Sequence, residues 1–226
     1  MLSPDDLDTL KLTLKLAGLS TLILLLIATP LAWWLTHSQN RYKHLVNTLV
    51  ALPLVLPPSV LGFYLLLLLG PQGWVGQITT QLGIGTLAFS FSGLVMASVL
   101  YSLPFAVHPL QTAFAAIPQA LLETAATLRA SPLDRFISIV IPLSRFGFLN
   151  AGILGFAHTV GEFGVVLMVG GNIPNQTRLV SLQIYNHVEA LEYAQAHTLA
   201  AILLIFSCLA LLLIYSRQNA GQRKLM

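Results

Sequence analysis

The chain has 226 residues, 56% of them hydrophobic and 8% charged, with a formal net charge of +3. A soluble domain carries charge on about a quarter of its residues, so this chain cannot cover a water-facing surface and reads as an all-α, polytopic membrane protein. The small positive balance is no argument for nucleic acid, and the single cysteine, Cys208, excludes a disulfide within the chain.

Five stretches are apolar over about 20 residues, the length a bilayer requires. They run roughly Leu16–Leu35, Val46–Leu69, Phe91–Leu110, Gly147–Gly170 and Thr198–Tyr215. Ahead of the first, Asp5, Asp6 and Asp8 stand where a cleavable signal would be basic, so this segment is expected to stay. Thr9–Lys15 mixes polar and apolar residues and is expected to lie along the membrane surface. Trp33 and Trp34 close the first span at an interface.

The second span reads LVALPLVLPPSVLGFYLLLLLG. Pro53, Pro57 and Pro58 remove amide donors and disturb the helix. In lipid the freed carbonyls need partners, so the break is expected to be buried in protein or to line a cavity. That makes the three prolines candidates for a pathway or gate. Pro104 and Pro109 disturb the third span in the same way.

Between the third and fourth spans lies Glu123–Pro142, ETAATLRASPLDRFISIVIP. It carries Glu123, Arg129, Asp134 and Arg135 in a chain with few charges. A polar, partly helical element between membrane spans is a candidate for contact with something soluble.

The fourth span contains GFAHTVGEFGVVLMVGG. His158 and Glu162 are four residues apart and share a helix face. A glutamate at this depth faces the bundle interior or water; it is a gating candidate, a proton relay or a partner for His158. Gly155, Gly161 and Gly164 allow close helix approach. In the loop that follows, Pro174 and Asn175 suit a turn, Ser181–Tyr193 can form a short helix, and Arg178 is the one cation. Arg178 reads either as a solvated loop residue or as an outer contact for an anion.

Lys and Arg set the sidedness. The connections holding Arg41 and Lys43, then Arg129, Arg135 and Arg145, and the tail with Arg217, Arg223 and Lys224 carry eight of the eleven. The alternate connections carry Lys11, Lys15 and Arg178. The N-terminus is therefore expected outside and the C-terminus in the cytoplasm, with the central polar stretch cytoplasmic.

Several chemistries are missing. Gly70–Gly76, GPQGWVG, lacks the lysine of a phosphate-binding loop. No HExxH, CxxC or GxSxG occurs, and the histidines have no metal-ligand spacing. No catalytic constellation or metal site is expected, and an active transporter built on this chain would draw its energy from another chain.

The central stretch resembles the cytoplasmic motif of bacterial ATP-binding-cassette importer permeases: Glu-Ala-Ala, three residues, Gly, nine residues, Ile-x-Leu-Pro. Here Glu123, Thr124 and Ala125 are followed at the same spacing by Arg129, and then by Ile139, Val140, Ile141 and Pro142. Arg129 replaces the glycine at which the family turns one short helix into the next. If that position needs a positive φ, arginine is disfavoured there by about 1 kcal/mol. Ala51–Gly70 and Val160–Arg178 are similar to the molybdate importer permeases, and sulfate permeases resemble them too.

The resemblance covers nearly the whole chain. It implies one permease domain over residues 1–226 with the type I importer fold, and a coupling loop at about residues 118–142. It implies a homodimer, a cytoplasmic ATPase pair that binds the ATP and magnesium, and an outer binding protein for molybdate or tungstate. Glu123, Thr124, Ala125, Arg129, Ile139 and Pro142 would belong to the ATPase contact. Sulfate or thiosulfate is the alternative substrate. A secondary transporter working without an ATPase is the alternative class, and it predicts an internal repeat or a buried ion pair.

Overall fold

Ser3 starts the first helix. Its hydroxyl accepts the Asp6 amide while the Asp6 carboxylate accepts the Ser3 amide, a reciprocal cap reinforced by Pro4 at the first helical position. In the computed structural model, which describes residues 2–222 with side chains through Ser216, this helix, α1, runs without interruption over Pro4–His37. The expected surface segment Thr9–Lys15 is therefore part of the span helix. Thr9 and Thr13 are buried, and their hydroxyls bond back to the carbonyls of Asp6 and Thr9 at 2.8 and 2.7 Å. Polar side chains satisfied this way do not need the membrane surface.

After α1 come α2 (Lys43–Val55), α3 (Pro58–Leu69), α4 (Trp74–Gln81), α5 (Phe91–Ala115), α6 (Gln119–Thr127) and α7 (Pro132–Arg135). A five-residue π-helical turn, Phe136–Val140, leads into α8 (Ile141–Leu143), α9 (Arg145–Val160), α10 (Gly164–Gly170), α11 (Val180–Glu189) and α12 (Tyr193–Gln222). Among the described residues every element is helical. Four helical stretches are long and apolar enough to cross a membrane: Pro4–His37, Pro58–Gln81, Phe91–Ala115 and Tyr193–Ser216. A fifth is formed if Pro132–Leu143 and Arg145–Val160, bent by 71°, make one span. The expected short helix after the fourth span is α11, preceded by a turn at Pro174 and Asn175. Arg223 and Lys224 of the cationic tail lie outside the described residues.

The second and fourth spans are not single helices. The second breaks at Leu56–Pro57, because Pro57 and Pro58 cannot donate to the carbonyls of Pro53 and Leu54. Pro53 does not break it; α2 continues to Val55. The fourth stops at Val160 and resumes at Gly164. By contrast α5 stays continuous through Pro104 and Pro109.

The core is built mainly from α1, α5 and α9. Leu16, Leu24, Leu35, Leu94, Leu110, Phe114 and Ala151 are fully enclosed in it. Gly155 lets α9 approach α1 closely, since a Cβ there would stand 2.7 Å from Leu24 Cδ2. Gly161 meets only carbonyls of its own helix, so it makes no interhelical approach. A smaller cluster of Leu65, Leu69, Ala97, Val165 and Val169 joins α3 and α10 to α5. The connections placed on one side by the charge pattern do gather at one end. Asp6, Lys15, the start of α5 at Phe91, and α11 share that end, and Trp33 meets Phe136 of the central loop at the other, 5.3 Å between ring centroids.

Candidate functional site

Two regions carry the candidate residues. The first is the central loop. Pro118 opens α6, and Ser131 caps α7 by accepting the Asp134 amide at 3.1 Å, with Pro132 at the first helical position. Between them, α6 closes with a paired C-terminal turn. The Ala130 amide donates to the Ala125 carbonyl and the Arg129 amide to the Ala126 carbonyl, both at 3.0 Å. This geometry needs a left-handed residue, and Arg129 supplies it with φ 64°. The position of the motif glycine thus has a positive φ in this chain although the residue is arginine.

Glu123 is exposed on α6 and accepts from Gln119 Nε2 at 2.8 Å. Thr124 bonds back to the Ala120 carbonyl at 2.8 Å, so its hydroxyl acts locally and the change from alanine is mild. Ile139 is half-buried and Pro142 is exposed, both beyond the loop's second turn. Arg135 reaches across to the Leu122 carbonyl at 3.4 Å and pins α7 to α6. Beneath them is a cavity of about 200 Å³ lined by Trp33, Leu122, Pro132, Arg135, Phe136 and Val140. Trp33 also meets Phe114 edge-on at 5.4 Å, so it links the loop to α1 and α5 rather than facing the interface alone. Leu128 is 78% exposed and Leu133 69%. Neither of these exposed apolar side chains was singled out in the sequence. Their signal was an apolar residue on each side of Arg129.

The second region is where the two broken spans meet. Gly164 lies against Pro58; a Cβ there would stand 2.9 Å from Pro58 Cβ. Pro57 and Pro58 are exposed on the single chain, so the break is not buried within it, the first of the two placements expected. Glu162 sits in the second break, 3% exposed. Its Oε2 accepts from Ser98 Oγ at 2.8 Å and its carbonyl from Ser181 Oγ at 2.6 Å, while Oε1 has no partner. His158 is not paired with Glu162. Its Nδ1 bonds Ser102 Oγ at 2.9 Å, and its ring stacks on Phe105 at 4.0 Å. The helical face expected from their spacing is not formed, because α9 ends at Val160 and Glu162 lies in the break, yet both side chains reach α5, at Ser102 and at Ser98, themselves four apart. The serines were not singled out in the sequence.

Arg178 is committed inside its own loop. Nε donates to Asn172 Oδ1 at 3.0 Å and Nη2 to the Asn172 carbonyl at 3.4 Å. A cluster that sequence reading missed lies nearby. His187 bonds Asp6 Oδ1 at 2.8 Å through Nε2 and Glu192 Oε2 at 2.7 Å through Nδ1, and Gln183 donates to Asp6 at 3.0 Å. Burial disfavours the charged imidazole, but the bonds to Asp6 and Glu192 outweigh it and raise the His187 pKa above its ordinary value.

Comparison with known proteins bears on both regions. The family model described as "Binding-protein-dependent transport system inner membrane component" matches residues 22–224. The chain is 60% identical over 218 residues to the molybdenum transport system permease protein ModB of Azotobacter vinelandii, covering 96% of each. It is 32% identical to the ModB of Haemophilus influenzae, covering 97% of this chain and 96% of that one. Identity to the sulfate transport system permease protein CysT of Synechocystis is 33%, covering 98% and 77%. Among solved structures, a bacterial ABC transporter that imports alginate superposes with a TM-score of 0.73 at 20% identity, covering 98% of this chain and 80% of that one. An amino acid ABC transporter gives 0.61 at 20% identity, covering 94% of each.

Proposed function

Because the chain belongs to the family of binding-protein-dependent transport system inner membrane components, we propose that it is the permease of an ATP-driven molybdate importer. The observation that carries the substrate is the 60% identity, over 96% of both chains, to a molybdenum permease, against 33% to a sulfate permease that it covers only in part. Tungstate, a tetrahedral dianion of the same charge, is expected to follow the same route.

The chain works as a homodimer, multi-pass in the bacterial cell membrane, with its N-terminus outside and its C-terminus cytoplasmic. ATP and magnesium are held by a separate pair of cytoplasmic ATPases, and this chain hydrolyses nothing. The ATPases dock on α6 and the exposed leucines around Arg129. Their closure draws the two loops together and rocks the helices as rigid bodies to the outward-facing state. A binding protein outside delivers the oxyanion. The spans hold almost no cations, and a translocating site must also release what it binds, so selectivity sits mostly in the binding protein. Glu162 carries the wrong sign for a dianion. It organises the break in the fourth span, as its bonds to Ser98 and Ser181 support.

The test is reconstitution with the candidate ATPase and binding protein, measuring ATP-dependent uptake of labelled molybdate against excess sulfate. Uptake that needs ATP and resists sulfate is expected. Uptake erased by sulfate would reassign the substrate to sulfate or thiosulfate, and uptake without the ATPase would overturn the class.

A further inference from the structure

The cluster around His187 has a geometry that favours the charged imidazole. Both ring nitrogens lie within hydrogen-bond distance of carboxylate oxygens, 2.8 Å to Asp6 and 2.7 Å to Glu192. An ionised carboxylate only accepts. With both acids ionised, donation to both requires a proton on each nitrogen, so the imidazolium is the form that bridges them. Neutral imidazole can donate to one of them only.

The bridge joins three elements that are remote in sequence. Asp6 belongs to the start of α1, His187 to α11, and Glu192 to the connection into α12. The other end of α11 is also tied. The Val180 amide donates to Thr13 Oγ1 of α1 at 2.9 Å, and Ser181 Oγ donates to the Glu162 carbonyl in the broken fourth span. One short helix thus holds the N-terminal helix and the last helix at its C-terminal end and the break at its N-terminal end.

We propose that His187 is a positioning residue for transport: as a cation it clamps α11 to α1 and α12, and so keeps Ser181 on the carbonyl of Glu162 at the break. The inference rests on the permease reading for its transport readout and on geometry alone for its structural one. The groups facing His187 are Asp6 from α1, Gln183 from its own helix and Glu192 from the connection to α12. The remaining charged or titratable side chains of these elements are engaged elsewhere or exposed. Lys11 pairs with Asp8, Tyr185 with Glu189, and Asp5 and His197 are exposed.

The direction of the pH effect follows from the raised pKa. The bridge is fully present below the ordinary histidine value of 6.5 and is lost as pH rises through the higher folded value. The clamp therefore opens on the alkaline side.

Two measurements test it. In the purified chain, hydrogen exchange of the Val180–Glu189 amides, corrected for the intrinsic pH dependence, is expected to lose about tenfold in protection from pH 6 to alkaline pH, the scale of one charge-assisted hydrogen bond. His187→Gln should give low protection that is flat with pH. Glu192→Gln, at a half-exposed acid and milder for folding, should move the wild-type transition to lower pH. In proteoliposomes with the ATPase and binding protein, wild-type uptake should fall over the same pH range while ATPase activity without binding protein does not. Ser181→Ala should lower uptake at all pH values. Protection of α11 that is independent of pH in the wild type, or a transition that survives in His187→Gln, overturns the proposal. Absence of uptake at every pH with the α11 transition intact would count against the permease reading, not against the clamp, whereas robust uptake without pH dependence would overturn its role in transport.

Discussion

Arg129→Gly should stabilise the central loop, an unusual direction for a substitution that removes a side chain. Arg129 occupies the left-handed position that closes α6, with φ 64°. Holding an L-residue there is unfavourable by about 1–2 kcal/mol. Glycine removes that strain but enlarges the freedom of the unfolded loop, a loss of about 0.5–1 kcal/mol. The net gain is about 1 kcal/mol, or about a fivefold shift in the local opening equilibrium. The Arg129 side chain is exposed, and none of the side-chain hydrogen bonds among the described residues involves it, so no such bond offsets the gain. The assay is hydrogen exchange at residues 129 and 130, whose amides donate to the carbonyls of Ala126 and Ala125. Exchange should slow about fivefold in Arg129→Gly and quicken in Arg129→Val, where β-branching adds to the strain. Unchanged or faster exchange in Arg129→Gly would refute the strain argument and mean that arginine is held there by a contact worth as much as the turn loses.

Other substitutions test the remaining contacts. Ser98→Ala leaves the Glu162 carboxyl with no side-chain partner and should destabilise the purified chain by about 1–3 kcal/mol in a denaturation series, whereas Glu162→Gln, which can still accept from Ser98, should assemble normally; equal stability of Ser98→Ala and wild type would dismiss that bond. Gly164→Leu must push against Pro58 and should lower thermal stability by about 1–3 kcal/mol, while Gly161→Ala, with nothing closer than 3.7 Å, should be tolerated. Glu123→Lys should leave the chain's own stability unchanged, since the residue is exposed, yet reduce co-purification with the ATPase and uncouple transport; retention of both would remove α6 from the docking surface.

The parts of this fold that were legible are those dictated by one segment at a time. Lipid demands about 20 apolar residues whatever the neighbours, so the first, third and fifth spans stood out, whereas the second and fourth are shifted to Pro58–Gln81 and to the bent pair Pro132–Leu143 and Arg145–Val160. Pro57 and Pro58 lack amide hydrogens in any context, so the disturbance in the second span was readable, though not that its broken end would be exposed. The place of the turn at Arg129 was readable from the motif spacing, but whether arginine there would take a positive φ was left open, and the structure answers it with φ 64°. What could not be read is pairing between segments. His158 and Glu162 announced a shared face, but whether they bonded each other or Ser102 and Ser98 depended on the axial register of α9 against α5. Asp6 and His187 are separated by 181 positions, and neither stands out in its own loop. Thr9–Lys15 misled for a related reason: its polarity is absorbed by back-bonds to the helix and by the Val180 amide, which no local pattern reveals.

The two breaks divide the chain into bodies that suit a rocking mechanism. α1, α5 and α9 share the main packed core, and α3 and α10 pack on each other and on α5 in a second, smaller cluster. The joints between these bodies are Leu56–Pro57 and Gly161–Phe163, and Glu162 lies in the second joint with its carboxyl on α5 and its carbonyl on α11. The central loop runs into α9 through the 71° bend, and α9, 16 residues and about 24 Å long, ends at that same joint. On the proposed mechanism, a displacement of the loop by a closing ATPase pair would be delivered by one helix to the break. There the bond to Ser98 resists parting α10 from α5 and the bond to Ser181 passes the strain to the outer helix. The proposed role of Glu162 is therefore to join helices, as its bonds to Ser98 on α5 and Ser181 on α11 support.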